Sequence, residues 1–265
     1  MIVTWVRMVA PPMMLECCSK LSLERRSSHV KIDGMPTRTR RSQRRTEALS
    51  RERIVEAAVE LLDAAGDGGL TFRALTERLA TGPGAIYWHV ANREELLAAA
   101  TEAVVAASTS APVAAPSTPQ DGIRAVALGL FEAVEEHPWL ATQLATQLSR
   151  NAGGPVTLRI YESIGRQVRA LGVPRRSWFT ATSALVYYIL GAAGQNAANT
   201  AGARAFPPDV DRAAFLVAVS EAWEALDPDE YPFTRAIADQ LRDHDDRAEF
   251  LAGVDLVLGG ITGAA

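Results

Sequence analysis

The stretch "TFRALTERLATGPGAIYWHV", residues 71–90, decides how the first part of this chain folds. Leu75 and Leu79 stand four positions apart, so a short helix that begins after a Thr71 cap turns both toward one side. After a brief break, Pro83 stands where proline favours the start of another helix. Two short helices joined by a tight turn are typical of the helix-turn-helix arrangement, whose second helix enters the major groove of DNA.

Amphipathic helices are predicted on both sides of this stretch. Apolar residues recur at helical spacing over 54–65, and Gly66 together with Gly68 and Gly69 is expected to end that helix. Beyond the stretch, Asn92 can cap a fourth helix while Glu95, three residues on, completes a capping box. We therefore predict a three-helix DNA-binding module with a connecting helix, together spanning residues 47–108.

The rest of the chain is predicted to be helical as well. A linker rich in Ser, Ala and Pro follows at 108–120, and no later stretch alternates with period two for long. The fold class is thus all-α, with a larger helical domain at 119–262. Its helices are expected at 119–136, 139–150, 154–171, 175–199, 209–226, 231–243 and 246–260.

Composition limits the class of protein. Of the 265 residues 48% are hydrophobic, so the chain can bury a sizeable core. The apolar run at 1–15 is broken by Arg7 and two prolines and is shorter than the ~20 residues of a membrane span. Cys17 and Cys18 are adjacent and are the only cysteines, so they form no disulfide framework. These features predict a cytoplasmic protein without a membrane partner.

Positive charge is concentrated at one end of the chain. Residues 1–53 hold 12 basic and 5 acidic side chains, whereas the whole chain holds 27 and 31. Seven arginines fall within 36–53, a density that suits contact with a polyanion. Residues 1–46 are therefore interpreted as a disordered, basic extension that adds to DNA affinity through counterion release.

No pattern of catalytic residues stands out. The sequence has no Gly-x-Ser-x-Gly, no paired His with Glu on a helix, no phosphate loop and no Cys-His pairing, so an enzyme is not expected. His137 at a predicted helix end is explained by the helix dipole rather than by a metal. The run "DHDD" at 243–246 is interpreted as a cap in which Asp246 and Glu249 form a capping box. We predict no cofactor and no metal site.

Residues 53–99 resemble the TetR (tetracycline-repressor) family of bacterial one-component regulators. The resemblance rests on "IVEAAVELLDAAGDGGLTFRALTERLA" at 54–80 and "GPGAIYWHVANREELL" at 82–97. The body resembles the tetracycline-repressor type of C-terminal domain through "EEHPWL" at 135–140 and "FLAGVDLVLGGI" at 250–261. This resemblance implies that the body forms a homodimer and holds a pocket for a small-molecule inducer.

By this resemblance "GPGAIYWHV" is the recognition helix. Ile86 and Val90 are expected to pack against the first two helices, and Tyr87 and His89 to face the DNA backbone. A structural cap is the alternative role for His89. The candidate DNA-contacting residues are Thr71, Arg73, Thr81, Gly82, Pro83, Gly84, Ala85, Tyr87, Trp88, His89 and Arg93.

Individual roles follow from the same alignment. Arg73 stands at a base-reading position and Arg93 at a phosphate contact, while Trp88 either braces the module or touches sugar. Residues 82–85 offer almost no side-chain hydrogen bonds, so base readout is expected to depend on Arg73, Thr81, backbone NH groups and DNA shape.

The inducer pocket is predicted from aromatic residues, each of which can equally be core or dimer seam. Thr109 and Leu144 stand where tetracycline repressors carry the two histidines of their magnesium chelate, so tetracycline is not expected as the ligand. An apolar or aromatic inducer is expected instead. The candidates are Phe131, Trp139, Tyr161, Trp178, Phe179, Tyr187 and Tyr188.

The dimer seam is assigned by the resemblance to helices 175–199 and 246–260, each taken twice. The run at 184–199 supports this, because its small residues would let backbones approach closely. A two-fold dimer implies a palindromic operator with half-sites ~34–36 Å apart. These small residues are Gly191, Ala192, Ala193, Gly194 and Ala197.

The functional hypothesis is a homodimeric repressor of double-stranded DNA that a small molecule releases from its operator. The alternative is a DNA-binding regulator whose body responds to a protein partner or has no ligand. A closed body without a cavity would favour the alternative.

Overall fold

The computed structural model describes residues 49–110, 117–203 and 211–263, and within these ranges every regular element is a helix. The all-α prediction is confirmed for this part of the chain, whereas the basic extension at 1–46 lies outside it. The helices are α1 Arg51–Gly69, α2 Phe72–Leu79, α3 Pro83–Tyr87, α4 Arg93–Ser110, α5 Pro119–Glu136, α6 Trp139–Arg150, α7 Pro155–Ala170, α8 Trp178–Ala203, α9 Arg212–Glu224, α10 Pro232–Ala236 and α11 Asp246–Gly263.

Side-chain caps begin the first helices where the sequence predicts them. The Thr71 hydroxyl accepts the Ala74 N–H at 3.1 Å, and the Asn92 side chain accepts the Glu95 N–H at 2.8 Å. Each cap satisfies a backbone donor that would otherwise have no partner at a helix start. The Glu95 carboxylate reaches the N–H of Ala91 rather than that of Asn92, so the capping box is displaced by one residue.

The end of α1 lies within the group of glycines that was predicted to end it. Gly66 adopts φ 63°, a left-handed conformation that glycine reaches without steric cost, but helical structure resumes and continues to Gly69. The glycine therefore bends the end of the helix rather than ending it. Leu70 follows at once and is fully buried, which brings the chain back onto the core before α2 begins.

The small module, α1–α4, buries apolar side chains that belong to the same core cluster as those of the body. α2 packs on α1, α3 packs on α2, and α4 packs on α1. Ile86 and Val90 are buried as predicted, and they join Ile54, Leu62 and Leu75 in the core. Because α3 has only five residues, burial of Ile86 is what fixes this short helix on its neighbours.

The larger domain is built around α8. α5, α6, α7 and α11 all pack against it, and α4 reaches from the small module to α5, α6 and α7. The ring of Phe131 on α5 stacks on that of Phe250 on α11, with centroids 4.5 Å apart. α4 therefore belongs to both parts and connects them mechanically.

Two predicted elements near the C-terminus are wrong in detail. The helix expected at 231–243 is instead α10 followed by a short 3-10 turn, Ala238–Leu241, with a non-helical Ile237 between them. The Arg235 guanidinium donates to the Leu226 carbonyl, and this contact with the end of α9 replaces continuation of the helix. The α9 helix begins at Arg212, after an Asp211 cap, rather than at residue 209.

The start of α11 also differs. The carboxylate that accepts the Ala248 N–H belongs to Asp245, not to Asp246 as predicted. Asp246 forms an ion pair with Arg212 instead. Asp245 and Asp246 are adjacent, yet the first caps the helix and the second faces another helix. Helical spacing in the sequence does not distinguish two adjacent positions at a helix start.

Candidate nucleic-acid interface

Arg73 presents a charged fork on the outer side of α2. Its side chain is 88% exposed, and its Nε donates to Glu77 Oε1 at 2.9 Å. The hydrogen bond with Glu77 raises the pKa of Arg73 above its usual value. Exposed ion pairs of this kind contribute little to stability, so the guanidinium can exchange Glu77 for the edge of a guanine.

Two aromatic side chains form the exposed side of α3. The Tyr87 ring stacks on Phe72 of α2, with centroids 4.5 Å apart and planes at 11°, yet Tyr87 stays 53% exposed. Trp88 is 89% exposed, which does not fit the bracing role that the sequence left open. An apolar ring that the fold does not bury is available to contact sugar and phosphate.

Glycines lie at the start of α3 although the folded module does not need them there. A Cβ added at Gly82 or Gly84 would meet no other described atom within 4 Å. Gly82 has φ −83°, which any residue adopts. Because glycine has no side chain, the backbone at these positions can approach DNA closely enough for its NH groups to reach phosphate.

His89 and Thr81 are half-buried at the two ends of the α3 segment. The backbone N–H of His89 donates to the Ile86 carbonyl at 2.9 Å, and that of Thr81 to the Thr76 carbonyl at 3.1 Å. Glu52 lies near His89, and its pKa is lowered chiefly by its own backbone N–H and the Ser50 hydroxyl, with a small contribution from His89.

Arg93 is engaged within the protein. Its Nε donates to the Leu70 carbonyl at 2.9 Å, and its Nη2 donates to the Asp67 carboxylate at 2.6 Å. These bonds tie the start of α4 to the loop between α1 and α2. The phosphate contact predicted for Arg93 would therefore have to use the remaining Nη1 or displace Asp67.

The predicted pocket residues do not surround one cavity. Phe131 is only 2% exposed in the core, and the Tyr188 hydroxyl donates to the Phe250 carbonyl at 3.1 Å. Burial, with a smaller effect of Glu249, raises the pKa of Tyr188. These two aromatics are thus explained by packing.

The other aromatic candidates lie at or near the surface. Tyr161 and Trp178 line a shallow cleft of about 320 Å³ between α7 and α8, together with Phe179. Tyr187 points outward and is 65% exposed. Trp139 lies apart from all of these, at the contact between α6 and α1.

The predicted dimer seam separates into two sets of residues. Ala193 and Ala197 are buried in the core of their own chain, so they are not seam residues as predicted, because α8 is packed on several sides. Large apolar side chains are nevertheless exposed on both helices, at Phe179, Tyr187 and Leu256. An exposed apolar surface remains on α8 and α11, and different residues supply it.

A polar contact between the small module and the body was missed by the sequence analysis. Asp63 Oδ1 on α1 accepts the Trp139 indole N–H at 2.7 Å and lies 2.7 Å from His137 Nδ1. His137 lies at the end of α5, where its backbone N–H donates to the Ala133 carbonyl while its side chain faces Asp63. Nothing in helical spacing links residue 63 to residues 137–139, because the contact joins elements distant in the chain.

Known proteins match both parts of the chain. Residues 54–100 match the family "Bacterial regulatory proteins, tetR family", and residues 112–264 match "Tetracyclin repressor-like, C-terminal domain". Among the described residues, no helix is both long and apolar enough to cross a membrane.

Solved structures share the fold. A TetR transcriptional regulator of Streptomyces coelicolor is 67% identical, with a TM-score of 0.74, over 81% of this chain and 98% of that one. ActR of Streptomyces coelicolor in complex with actinorhodin has a TM-score of 0.65 at 22% identity, over 82% of this chain and 98% of that one. The second likeness concerns the fold alone.

A curated relative, an HTH-type transcriptional regulator of Saccharopolyspora erythraea, is 33% identical over 143 residues. The match covers 54% of this chain and 59% of that relative, so the chain spans less than two thirds of that relative's length. The family matches together extend over most of the chain, from the start of α1 to the end of α11. The chain therefore belongs to the TetR family of bacterial transcriptional regulators.

Proposed function

We propose that the protein is a homodimeric, non-enzymatic, cytoplasmic repressor that binds a palindromic operator and is released by a small-molecule inducer. The observation that carries the DNA-binding part is the exposed surface of α2 and α3. Arg73, Tyr87 and Trp88 stand there at 53% exposure or more beside two glycines whose side-chain positions are empty.

Each of these groups has a role on DNA. The Arg73 fork suits guanine, and Thr71, Thr81, Tyr87 and His89 supply donors for phosphate. Gly82 and Gly84 offer backbone NH groups, and Trp88 offers an apolar face to the sugars. Arg93 takes part through its Nη1 while its other nitrogens hold the loop before α2.

Dimerisation is supported by the outer sides of α8 and α11. Phe179, Tyr187 and Leu256 are 72%, 65% and 78% exposed, which is costly in water and typical of a surface that a second copy covers. A two-fold axis through such a surface would place two α3 helices on successive major grooves.

Two observations support release by a small molecule. The helices α5–α11 match the tetracycline-repressor-like C-terminal domain, and ActR, a protein of the same fold, is known in complex with actinorhodin. An inducer that binds one conformation more tightly shifts the population toward it. We propose an apolar or aromatic inducer, since Tyr161 and Trp178, two of the predicted aromatic residues, line the cleft between α7 and α8 together with Phe179.

The test is selection of bound duplexes from a random DNA pool at one stated salt concentration. Wild type should enrich a palindrome, and the double variant Arg73→Ala, Tyr87→Ala should lose it. The matched control is Arg159→Ala, Tyr231→Ala, because both of these side chains are exposed on the body. Binding without an enriched sequence, or equal enrichment by the α2–α3 variant, would overturn the proposal.

The dimer is tested separately by sedimentation velocity. Phe179→Asp with Leu256→Asp should convert a dimer into a folded monomer, because a carboxylate is costly in an apolar interface. Leu158→Asp, on the exposed side of α7, should leave the dimer intact. A monomeric wild type would rule out this part of the proposal.

A further inference from the structure

A cleft of about 470 Å³ lies where the small module meets the body. α1 contributes Leu62, Asp63 and Asp67 to its wall, and α6 contributes Trp139 and Gln143. Its size falls within the range of small-molecule sites in proteins. The cleft, here called the junction cleft, is separate from the exposed apolar sides of α8 and α11.

The Gln143 side chain offers the junction cleft a hydrogen-bonding group that no described residue uses. This side chain is 8% exposed, lines the junction cleft, and makes no hydrogen bond with any described residue. A largely buried amide normally has hydrogen-bond partners in the folded protein. No described side-chain nitrogen or oxygen is fully enclosed without a partner, so the Gln143 amide must stay accessible, and the cleft provides that access.

The charge of the junction cleft is negative. Three carboxylates line it, at Asp63, Asp67 and Glu136, and its lining contains no Lys, Arg or His. Asp63 already accepts the Trp139 N–H and lies against His137, and Asp67 forms an ion pair with Arg93, so these two carboxylates already have partners in the protein. Glu136, the last residue of α5, forms no ion pair with any described residue, so its carboxylate is available to a cation.

Apolar surface completes the junction cleft. The Trp139 indole is held in place because its N–H donates to Asp63, and Leu62 and Pro138 lie beside it in the wall. An indole face attracts cations as well as apolar groups, through its ring quadrupole. A ligand that combines a positive group with a compact apolar body matches both parts of the lining.

We propose that the junction cleft binds a small organic cation, an ammonium or amidinium on an aromatic or aliphatic body. The cation pairs with Glu136 and faces the other two carboxylates, the apolar body lies against Trp139, and a polar atom bonds to the Gln143 amide. Because the ligand would touch both α1 and α6, its binding would change how the small module is held on the body. This last effect rests on the proposed DNA-binding function, whereas the site itself does not.

Binding is tested with benzylammonium as the probe and benzoate as its counterpart of opposite charge. Saturation-transfer NMR on the full chain at pH 7, without DNA, should give a saturable titration with benzylammonium and none with benzoate. Glu136→Gln and Gln143→Leu should each weaken benzylammonium at least about fivefold, since each removes one polar contact. Glu135→Gln is the matched control, because Glu135 is exposed and lies outside the lining.

The outcomes decide the proposal in either direction. Equal binding of benzoate, no saturable binding of benzylammonium, or equal affinity in Glu136→Gln and Glu135→Gln would overturn it. Glu136 is exposed at a helix end, so Glu136→Gln is expected to fold. It therefore still tests the proposal if Gln143→Leu fails to fold. Operator affinity with and without benzylammonium is measured afterwards, so that a failure of DNA binding is distinguished from a failure of the site.

Discussion

Aromatic side chains behave in opposite ways in the core of the body and at the recognition segment of the small module. On the body, Phe131 is 2% exposed and stacks on Phe250. On α3, Trp88 is 89% exposed, and Tyr87 keeps half its surface in solvent while it stacks on Phe72. The same residue type therefore stabilises one part of the molecule and forms a contact surface in the other.

The exposed fraction of an aromatic side chain separates core residues from interface residues in this protein. Burial of an aromatic ring contributes to folding, and its loss leaves a cavity. An exposed ring contributes little to folding and is retained for a partner. Stability and operator affinity should therefore respond to different substitutions, and the predictions follow in order of their expected effect on the free energy of unfolding.

The largest effect is expected for Phe131→Ala. Removal of this buried ring should lower the free energy of unfolding by about 3–5 kcal/mol, as measured by urea denaturation. Phe233→Ala, at a position 73% exposed on α10, is the control and should stay within about 0.5 kcal/mol. Similar losses for the two variants would contradict the assignment of Phe131 to the core.

A smaller loss is expected for Ile86→Ala in the small module. Ile86 is fully buried, and its truncation should cost about 2–3 kcal/mol because α3 is short and depends on this contact. Hydrogen exchange should locate the loosening in α3. Ile86→Val, which keeps most of the side chain, should cost about 1 kcal/mol. If α3 keeps its protection from hydrogen exchange in Ile86→Ala, the helix does not depend on burial of Ile86.

Thr71→Ala should cost about 1 kcal/mol in urea denaturation, since it removes the hydroxyl that accepts the Ala74 N–H at the start of α2. Thr71→Ser keeps that hydroxyl and should restore most of the stability. If serine were no better than alanine, the cap would not be the source of the loss.

Trp88→Ala is expected to change stability by less than about 0.5 kcal/mol, because the side chain is almost fully exposed. Operator affinity should fall about fivefold to tenfold, the equivalent of ~1 kcal/mol or slightly more. Fluorescence anisotropy with the selected duplex measures this. A stability loss comparable to that of Ile86→Ala would show that Trp88 braces the module after all.

The beginnings of the helices in the small module are the part of the fold most open to prediction. Thr71 and Asn92 cap the helices that follow them, and Pro83 begins α3, because these signals act over three or four residues. In the body the prediction of one helix over 231–243 was wrong. Arg235 in this segment contacts the end of α9, and the spacing of residues within 231–243 does not show a contact with another helix.

The candidate site was predictable in its residue types but not in its contacts. The position of Arg93 suggested a phosphate contact, yet the structure engages its guanidinium with Asp67 and Leu70. Among the aromatics of the body, sequence spacing did not distinguish core from surface. Exposure depends on which helices pack on each side, and neighbouring positions such as Tyr187 and Tyr188 differ for that reason.

The helical class, the order of the helices and the helix-turn-helix could all be predicted from the amino-acid sequence. The signals that predict them, which are apolar periodicity, caps and turn residues, each depend on a few neighbouring residues. Only the tertiary structure decided that Ala193 and Ala197 are core, that Asp63 joins α1 to α6, and that the junction cleft exists. Those features depend on contacts between residues far apart in the chain, and such contacts follow from how whole helices pack rather than from any local pattern.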